Sequence, residues 1–192
     1  AGIAYTMYSN SAANQRTVLL KRVGASGLML PGETTIVPEV ELVALDSRAN
    51  LIAAVWTYRA GVVSVEREVR AQLFDGSGVA LNPYVVVATE TGLGYGSLAT
   101  AFDSSGALLV VYGSGSAPFV GRILDSTGTV LGPEFPVTGA VVPGPQLAGL
   151  VGGGFVVAWA SETQTLARRL DSSGTALGPE IVVSPTGTAQ AI

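Results

Sequence analysis

Apolar residues in this chain fall into short runs that end near an aromatic and are separated by clusters of turn formers. Gly154–Ala160 reads GFVVAWA, Ala107–Gly113 reads ALLVVYG, Asn50–Tyr58 reads NLIAAVWTY and Gly2–Tyr8 reads GIAYTMY. Runs this short, rich in Val, Leu and Ile and bounded by Gly, Asp and Ser, predict β-strands rather than helices. The near-continuous apolarity of each run predicts burial on both faces.

A second pattern follows each run. Arg168–Glu180 reads RRLDSSGTALGPE, Arg122–Glu134 reads RILDSTGTVLGPE and Gln72–Tyr84 reads QLFDGSGVALNPY. Arg22–Glu33 (RVGASGLMLPGE) is a weaker copy. The equivalent turn positions Gly24, Asp75, Asp125 and Asp171 are 51, 50 and 46 residues apart. Asp at the head of such a turn offers a side-chain oxygen to the backbone amide two residues on. Gly three residues later supplies the positive φ of a hairpin loop with a bulge, which predicts positive φ at Gly78, Gly128 and Gly174. A third pattern, LVALD at 42–46, LATAFD at 98–103 and LAGLV at 147–151, precedes the aromatic runs and leads into turns at 46–50, 103–106 and 152–154. All five Asp residues (Asp46, Asp75, Asp103, Asp125, Asp171) are thereby expected in turns.

Each unit therefore reads as strand A, tight turn, strand B, looser loop, strand C, Asp turn, strand D. The first unit has B, C and D near 2–8, 16–23 and 29–37. The second has A to D near 41–46, 51–58, 68–74 and 80–87. The third has them near 96–102, 107–112, 118–124 and 130–137, and the fourth near 145–150, 154–160, 165–170 and 176–183. A four-stranded antiparallel unit recurring at this period predicts an all-β repeat protein, a β-propeller of four four-stranded blades. The units span residues 1–37 plus 188–192, 38–88, 89–139 and 140–187 of a single repeat domain, 1–192. The first unit lacks strand A, and 187–192 is expected to supply it by pairing with 2–8, which would close the ring and cover an edge. The alternatives are half of an eight-bladed ring completed by a homodimer, and another stacked β-repeat.

Composition narrows the function. Of 192 residues, 48% are hydrophobic and 12% charged, the opposite of a disordered chain. Mean hydropathy is +0.47, but glycines break the longest apolar stretch, 147–160, too early for a membrane-spanning helix. Net charge is −4, with Lys21 the only lysine and the arginines scattered, which argues against a nucleic-acid partner. Cys and His are both absent. That removes thiolate metal sites, cysteine nucleophiles, and the commonest general base and transition-metal ligand.

The remaining candidate chemistry is sparse. Each Asp turn brings one carboxylate, whereas Ca²⁺ takes six to eight oxygens, so turn capping is the expected role and no metal or other cofactor is expected. The Gly92–Gly96 run lacks the spacing and following helix of a phosphate loop. Glu66 and Glu68, with Glu162, could supply the paired acids of glycoside hydrolysis, but Glu66–Glu68 reads as a solvated B–C loop. A serine nucleophile would need a base that the chain does not mark. Trp56, Tyr112 and Trp159 recur at one place in their units. They are the candidate ligand contacts, as an aromatic platform for carbohydrate, although a repeated aromatic at the end of a buried strand also suits packing between blades.

Gly153–Trp159 followed by Arg168–Glu180 resembles a repeat found in tandem in large exported bacterial proteins. The third and second units match it more loosely, and the first has lost the Asp. The resemblance implies an extracellular or cell-surface address and a propeller-rich molecule, and it brings no catalytic residues with it. The expected function is thus a non-enzymatic structural or interaction module with a protein or glycan partner. A carbohydrate-binding, lectin-like propeller is the alternative, and a carboxylate-based polysaccharide-active enzyme a further one.

Overall fold

The computed structural model describes residues 3–10, 16–23, 26, 28, 34–37, 40–59, 66–91, 96–114, 116–140, 142 and 144–184, with backbone alone for the strands before residue 40. Every regular element is a β-strand. The first sheet has three strands in the order β1 (Ile3–Asn10), β2 (Arg16–Val23) and β3 (Thr34–Val37). The second runs β4 (Val40–Arg48), β5 (Leu51–Arg59), β6 (Glu66–Asp75) and β7 (Val85–Thr91). The third runs β8 (Ser97–Phe102), β9 (Leu108–Gly113), β10 (Val120–Leu124) and β11 (Val130–Pro136). The fourth runs β12 (Gln146–Gly149), β13 (Phe155–Ala160), β14 (Thr165–Leu170) and β15 (Ile181–Ser184). All pairs are antiparallel and each sheet is a simple meander in chain order.

The repeat of antiparallel sheets is as the sequence predicts, with one correction to the count. Three sheets have four strands and the first has three. The strand expected to complete the first sheet, 187–192, lies outside the described residues, as does the turn at Gly24. Strand D also starts later than expected in the second and fourth sheets, at Val85 rather than 80 and at Ile181 rather than 176. There a single bridge, Phe74↔Ala80 or Leu170↔Ala176, is followed by a break before β7 or β15. Asn82-Pro83 and Gly178-Pro179 fall in those breaks, whereas the equivalent Gly132-Pro133 stays within β11, where the pairing with β10 shifts register between Gly121 and Ile123.

The chain condenses into two compact units, Ala1–Gly94 and Tyr95–Ile192. In the first, Val40, Ile52, Ala54, Trp56 and Phe74 form a buried cluster against which Val43, Leu45 and Tyr58 pack. In the second, Leu109, Val111 and Ile123 of the third sheet interlock with Phe155, Val157, Trp159 and Leu170 of the fourth. The central strands explain the unbroken apolar runs: β9 is buried at all six positions, and β5 from Ile52 through Thr57. A strand covered on both faces gains from apolar residues at every position, not only at alternate ones.

The Asp turns have the geometry the motif predicts. Gly78, Gly128 and Gly174 have φ of 85°, 85° and 87°. In each loop the glycine amide donates to the aspartate carbonyl, as in Gly78 N to Asp75 O at 2.9 Å, so a type I turn closes with a bulge. The expectation for Asp46 needs correction. It lies within β4, paired with Ala53, and the hairpin turns two residues beyond Arg48, at Ala49 and Asn50. Ala49 takes φ of 50°, a conformation alanine rarely supplies, so the turn expected over 46–50 closes in its last two residues and leaves Asp46 in the strand.

Candidate functional site

The second sheet carries the most unusual side-chain arrangement among the described residues. Antiparallel register sets Trp56 of β5 opposite Arg70 of β6, and Tyr58 opposite Glu68. Alternation along the strands puts these four on one face. Arg70 Cζ lies 3.5 Å from the Tyr58 ring centroid and 4.4 Å from that of Tyr84, so the guanidinium contacts both tyrosine rings. Its Nε donates to Glu68 Oε2 at 2.6 Å. Tyr84 meets Trp56 edge to face, with centroids 6.0 Å apart. The layer grades from core to solvent: Trp56 is fully buried, Tyr58 half-buried, and Tyr84 is 45% exposed. Trp56 Nε1 is buried with no hydrogen-bond partner among the described residues.

The same register positions can be read in the sister sheets. Trp56, Tyr112 and Trp159 are paired with Arg70, Val120 and Leu166, each five residues before its turn aspartate. Two residues beyond the aromatic stands Tyr58 in the second sheet but Ser114 and Ser161 in the others. Nine residues beyond the aspartate stands Tyr84, but Glu134 and Glu180 in the others. Those glutamates serve their own sheets: Tyr112 Oη donates to Glu134 Oε1 at 2.6 Å, and Arg168 Nη2 to Glu180 Oε1 at 2.7 Å. The second sheet has thus replaced Ser, Val or Leu, and Glu by Tyr, Arg and Tyr at positions that meet in space.

Trp56, Tyr112 and Trp159, the aromatics singled out by their recurrence, are 0%, 2% and 4% exposed. Each is enclosed in its unit, and Trp159 belongs to the core shared by the third and fourth sheets. Sequence reasoning missed Tyr58, Arg70 and Tyr84. The signal was present in the LNPY segment, where a tyrosine stands in the column held elsewhere by the glutamate of LGPE.

The aspartates are committed to structure. Asp75 Oδ1 accepts the amides of Ser77 and Val79 at 2.8 and 2.9 Å and the Ser77 hydroxyl at 2.6 Å. Asp125 and Asp171 repeat this with Thr127 and Thr129, and with Ser173 and Thr175. The neighbouring hydroxyl leads in holding each of these carboxyls below the ordinary aspartate value. Asp103 does more. One oxygen caps its own turn through Ser105 and Ala107, and the other accepts Gly154 N at 2.8 Å and the Ser172 hydroxyl, both in the fourth sheet. Burial pushes this carboxyl up, but the Ser105 and Ser172 hydroxyls and the amides outweigh it and hold it at about 2.

Glu66 and Glu68, read as loop residues, instead open β6, and Glu68 is ion-paired to Arg70. Among the described residues no three of His, Cys, Asp and Glu gather where they could hold a metal ion. Among them, too, no helix is long and apolar enough to cross a membrane. Of the Gly92–Gly96 run, only Gly96 is described. Its amide donates to Gly113 O at 2.7 Å, at the edge of the third sheet.

No protein-family model matches the chain, and no curated protein matches it. Among solved structures it is similar to a protein of unknown function from Dyadobacter fermentans, at 12% identity and a TM-score of 0.60, over 93% of this chain and 56% of that one. It is also similar to an α-L-arabinanase of Penicillium chrysogenum solved with arabinobiose, at 13% identity and a TM-score of 0.61, over 95% of this chain and 59% of that one. The chain spans a little over half the length of each. At these identities the likeness is one of fold, and the fold is a β-propeller scaffold.

Proposed function

We propose that this chain is a non-catalytic propeller module that binds a partner, protein or glycan, on behalf of an exported bacterial protein at the cell surface or in the medium. The observation that carries the reading is the coordinated departure of the second sheet from its own repeat. The sister sheets fold with Ser, Val or Leu, and Glu at these positions, so the Tyr58–Arg70–Tyr84 stack is not required by the scaffold. Tyr, Trp and Arg are also the residues that dominate binding energy in recognition surfaces. The resemblance of the LDSSGTALGPE segment to tandem repeats of exported proteins supports the address. Three four-stranded sheets and one of three strands are described; a single-chain propeller and half of a dimeric eight-bladed ring are the two assemblies that solution mass separates.

An enzyme reading has one observation in its favour, the fold shared with an α-L-arabinanase. It needs two carboxylates about 5 to 10 Å apart flanking a bound sugar. Asp75, Asp103, Asp125 and Asp171 have given oxygens to their own loops, and Glu68 and Glu180 to arginines. The test is incubation of the purified chain with arabinan, xylan, cellulose and bacterial polysaccharides, measuring released reducing ends. No release is expected. Release that a Glu-to-Gln substitution abolishes would overturn the non-catalytic reading.

A further inference from the structure

We infer that the Tyr58–Arg70–Tyr84 face of the second sheet is a saccharide site that takes a neutral, hydroxyl-rich ring. This inference rests on the binding reading above and names its ligand class. The tyrosines hold the guanidinium without using its terminal nitrogens: Arg70 Cζ lies 3.5 and 4.4 Å from the two ring centroids, and Nε is bonded to Glu68. Among the described residues, Arg70 Nη1 and Nη2 and Glu68 Oε1 make no hydrogen bond. The site therefore presents fixed donors beside a fixed acceptor.

Charge decides between ligand classes. Arg70 and Glu68 neutralise each other at 2.6 Å, so an anion approaching the guanidinium meets the carboxylate, and a cation approaching the carboxylate meets the guanidinium. A hydroxyl both donates and accepts, so a pair of adjacent hydroxyls can take an Arg70 N–H and give a proton to Glu68. Tyr84, 45% exposed, adds an apolar ring surface against which the C–H face of a sugar can lie. A few convergent polar groups beside aromatic surface is the usual composition of a small-ligand site. The sister sheets lack the exposed ring: Glu134 and Glu180 stand in the place of Tyr84, and Val120 and Leu166 in that of Arg70. The fourth sheet's Arg168, 6.0 Å from the buried Trp159 ring, spends Nη2 on Glu180.

The test uses the full chain on an array of neutral and uronate-containing oligosaccharides, followed by calorimetric titration of those retained. Two variants restore residues that the sister sheets already tolerate, Tyr84→Glu and Arg70→Leu, and their thermal midpoints are measured alongside. The expected result is binding to neutral oligosaccharides, weakened at least about tenfold in both variants while both remain folded. Binding to uronate glycans alone, neutral binding unchanged in the variants, or no glycan bound at all would each overturn the saccharide assignment. A protein partner lost in Tyr84→Glu, with no glycan bound, would do so too while leaving the binding reading intact. Hydrolysis of a polysaccharide is the result that removes that reading instead.

Discussion

Asp103 Oδ2 accepts the backbone amide of Gly154, 51 residues along the chain, at 2.8 Å. This bond joins the A–B turn of the third sheet to the start of β13 in the fourth. Ser172, at the C–D turn of the fourth sheet, donates to the same oxygen. One fully buried carboxylate thereby closes its own turn and links two successive sheets.

Removing that carboxylate strands several donors at once. Asp103→Ala leaves the buried Gly154 amide without its acceptor and the part-buried Ser105 and Ala107 amides to water. The expected loss is about 3 kcal/mol, read as a lower denaturant midpoint at unchanged slope. Asp125→Ala, whose loop is solvent-exposed, should cost about 1 kcal/mol.

Acid should expose the same link. The folded carboxyl of Asp103 sits at about 2, below the ordinary 3.8, so its contribution is complete above pH 4 and lost as pH falls towards 2. Asp75, Asp125 and Asp171 are lowered in the same direction and add to the loss. Stability measured from pH 6 to pH 2 should fall mainly below pH 4, and less steeply in Asp103→Asn.

The close approach of β12 to β8 depends on a glycine. A Cβ on Gly149 would collide with the backbone carbonyl of Phe102, which cannot rotate away. Gly149→Ala should therefore cost about 2 kcal/mol or more. Gly152→Ala, with no atom within 4 Å of its Cβ, should lie within about 0.5 kcal/mol of the wild type in the same denaturation measurement.

Two positive-φ glycines separate backbone strain from crowding. Gly132, at φ 73°, has open space around it, whereas Gly174, at φ 87°, abuts the Phe135 ring of the third sheet. Gly132→Ala should cost about 1 kcal/mol from strain alone. Gly174→Ala should cost at least about 1 kcal/mol more, because the ring must also move. Equal costs in thermal unfolding would show that Phe135 yields freely.

What the sequence revealed was local. Asp, Ser or Thr and Gly at fixed spacing specify a turn within five residues, and the turns at Asp75, Asp125 and Asp171 follow it. Short apolar runs identified β5 and β9 because burial on both faces leaves no polar position to confuse. The reach of Asp103 to Gly154 was not legible, since nothing in DSSG marks which copy will use its second oxygen on a neighbour. Asp46 was misplaced because its turn forms at Ala49, against alanine's own preference. The candidate site was half legible. Recurrence drew attention to Trp56, which is buried, while the informative residues, Tyr58, Arg70 and Tyr84, are those that break the recurrence.

The central claim is that the second sheet holds the binding face of a non-catalytic module. Its most direct test compares wild-type and Tyr84→Glu chains, at matched thermal stability, for retention on immobilised polysaccharide and immobilised surface protein. The account predicts that the wild type is retained and that Tyr84→Glu is retained at least about tenfold more weakly. Equal retention of the two chains would contradict it.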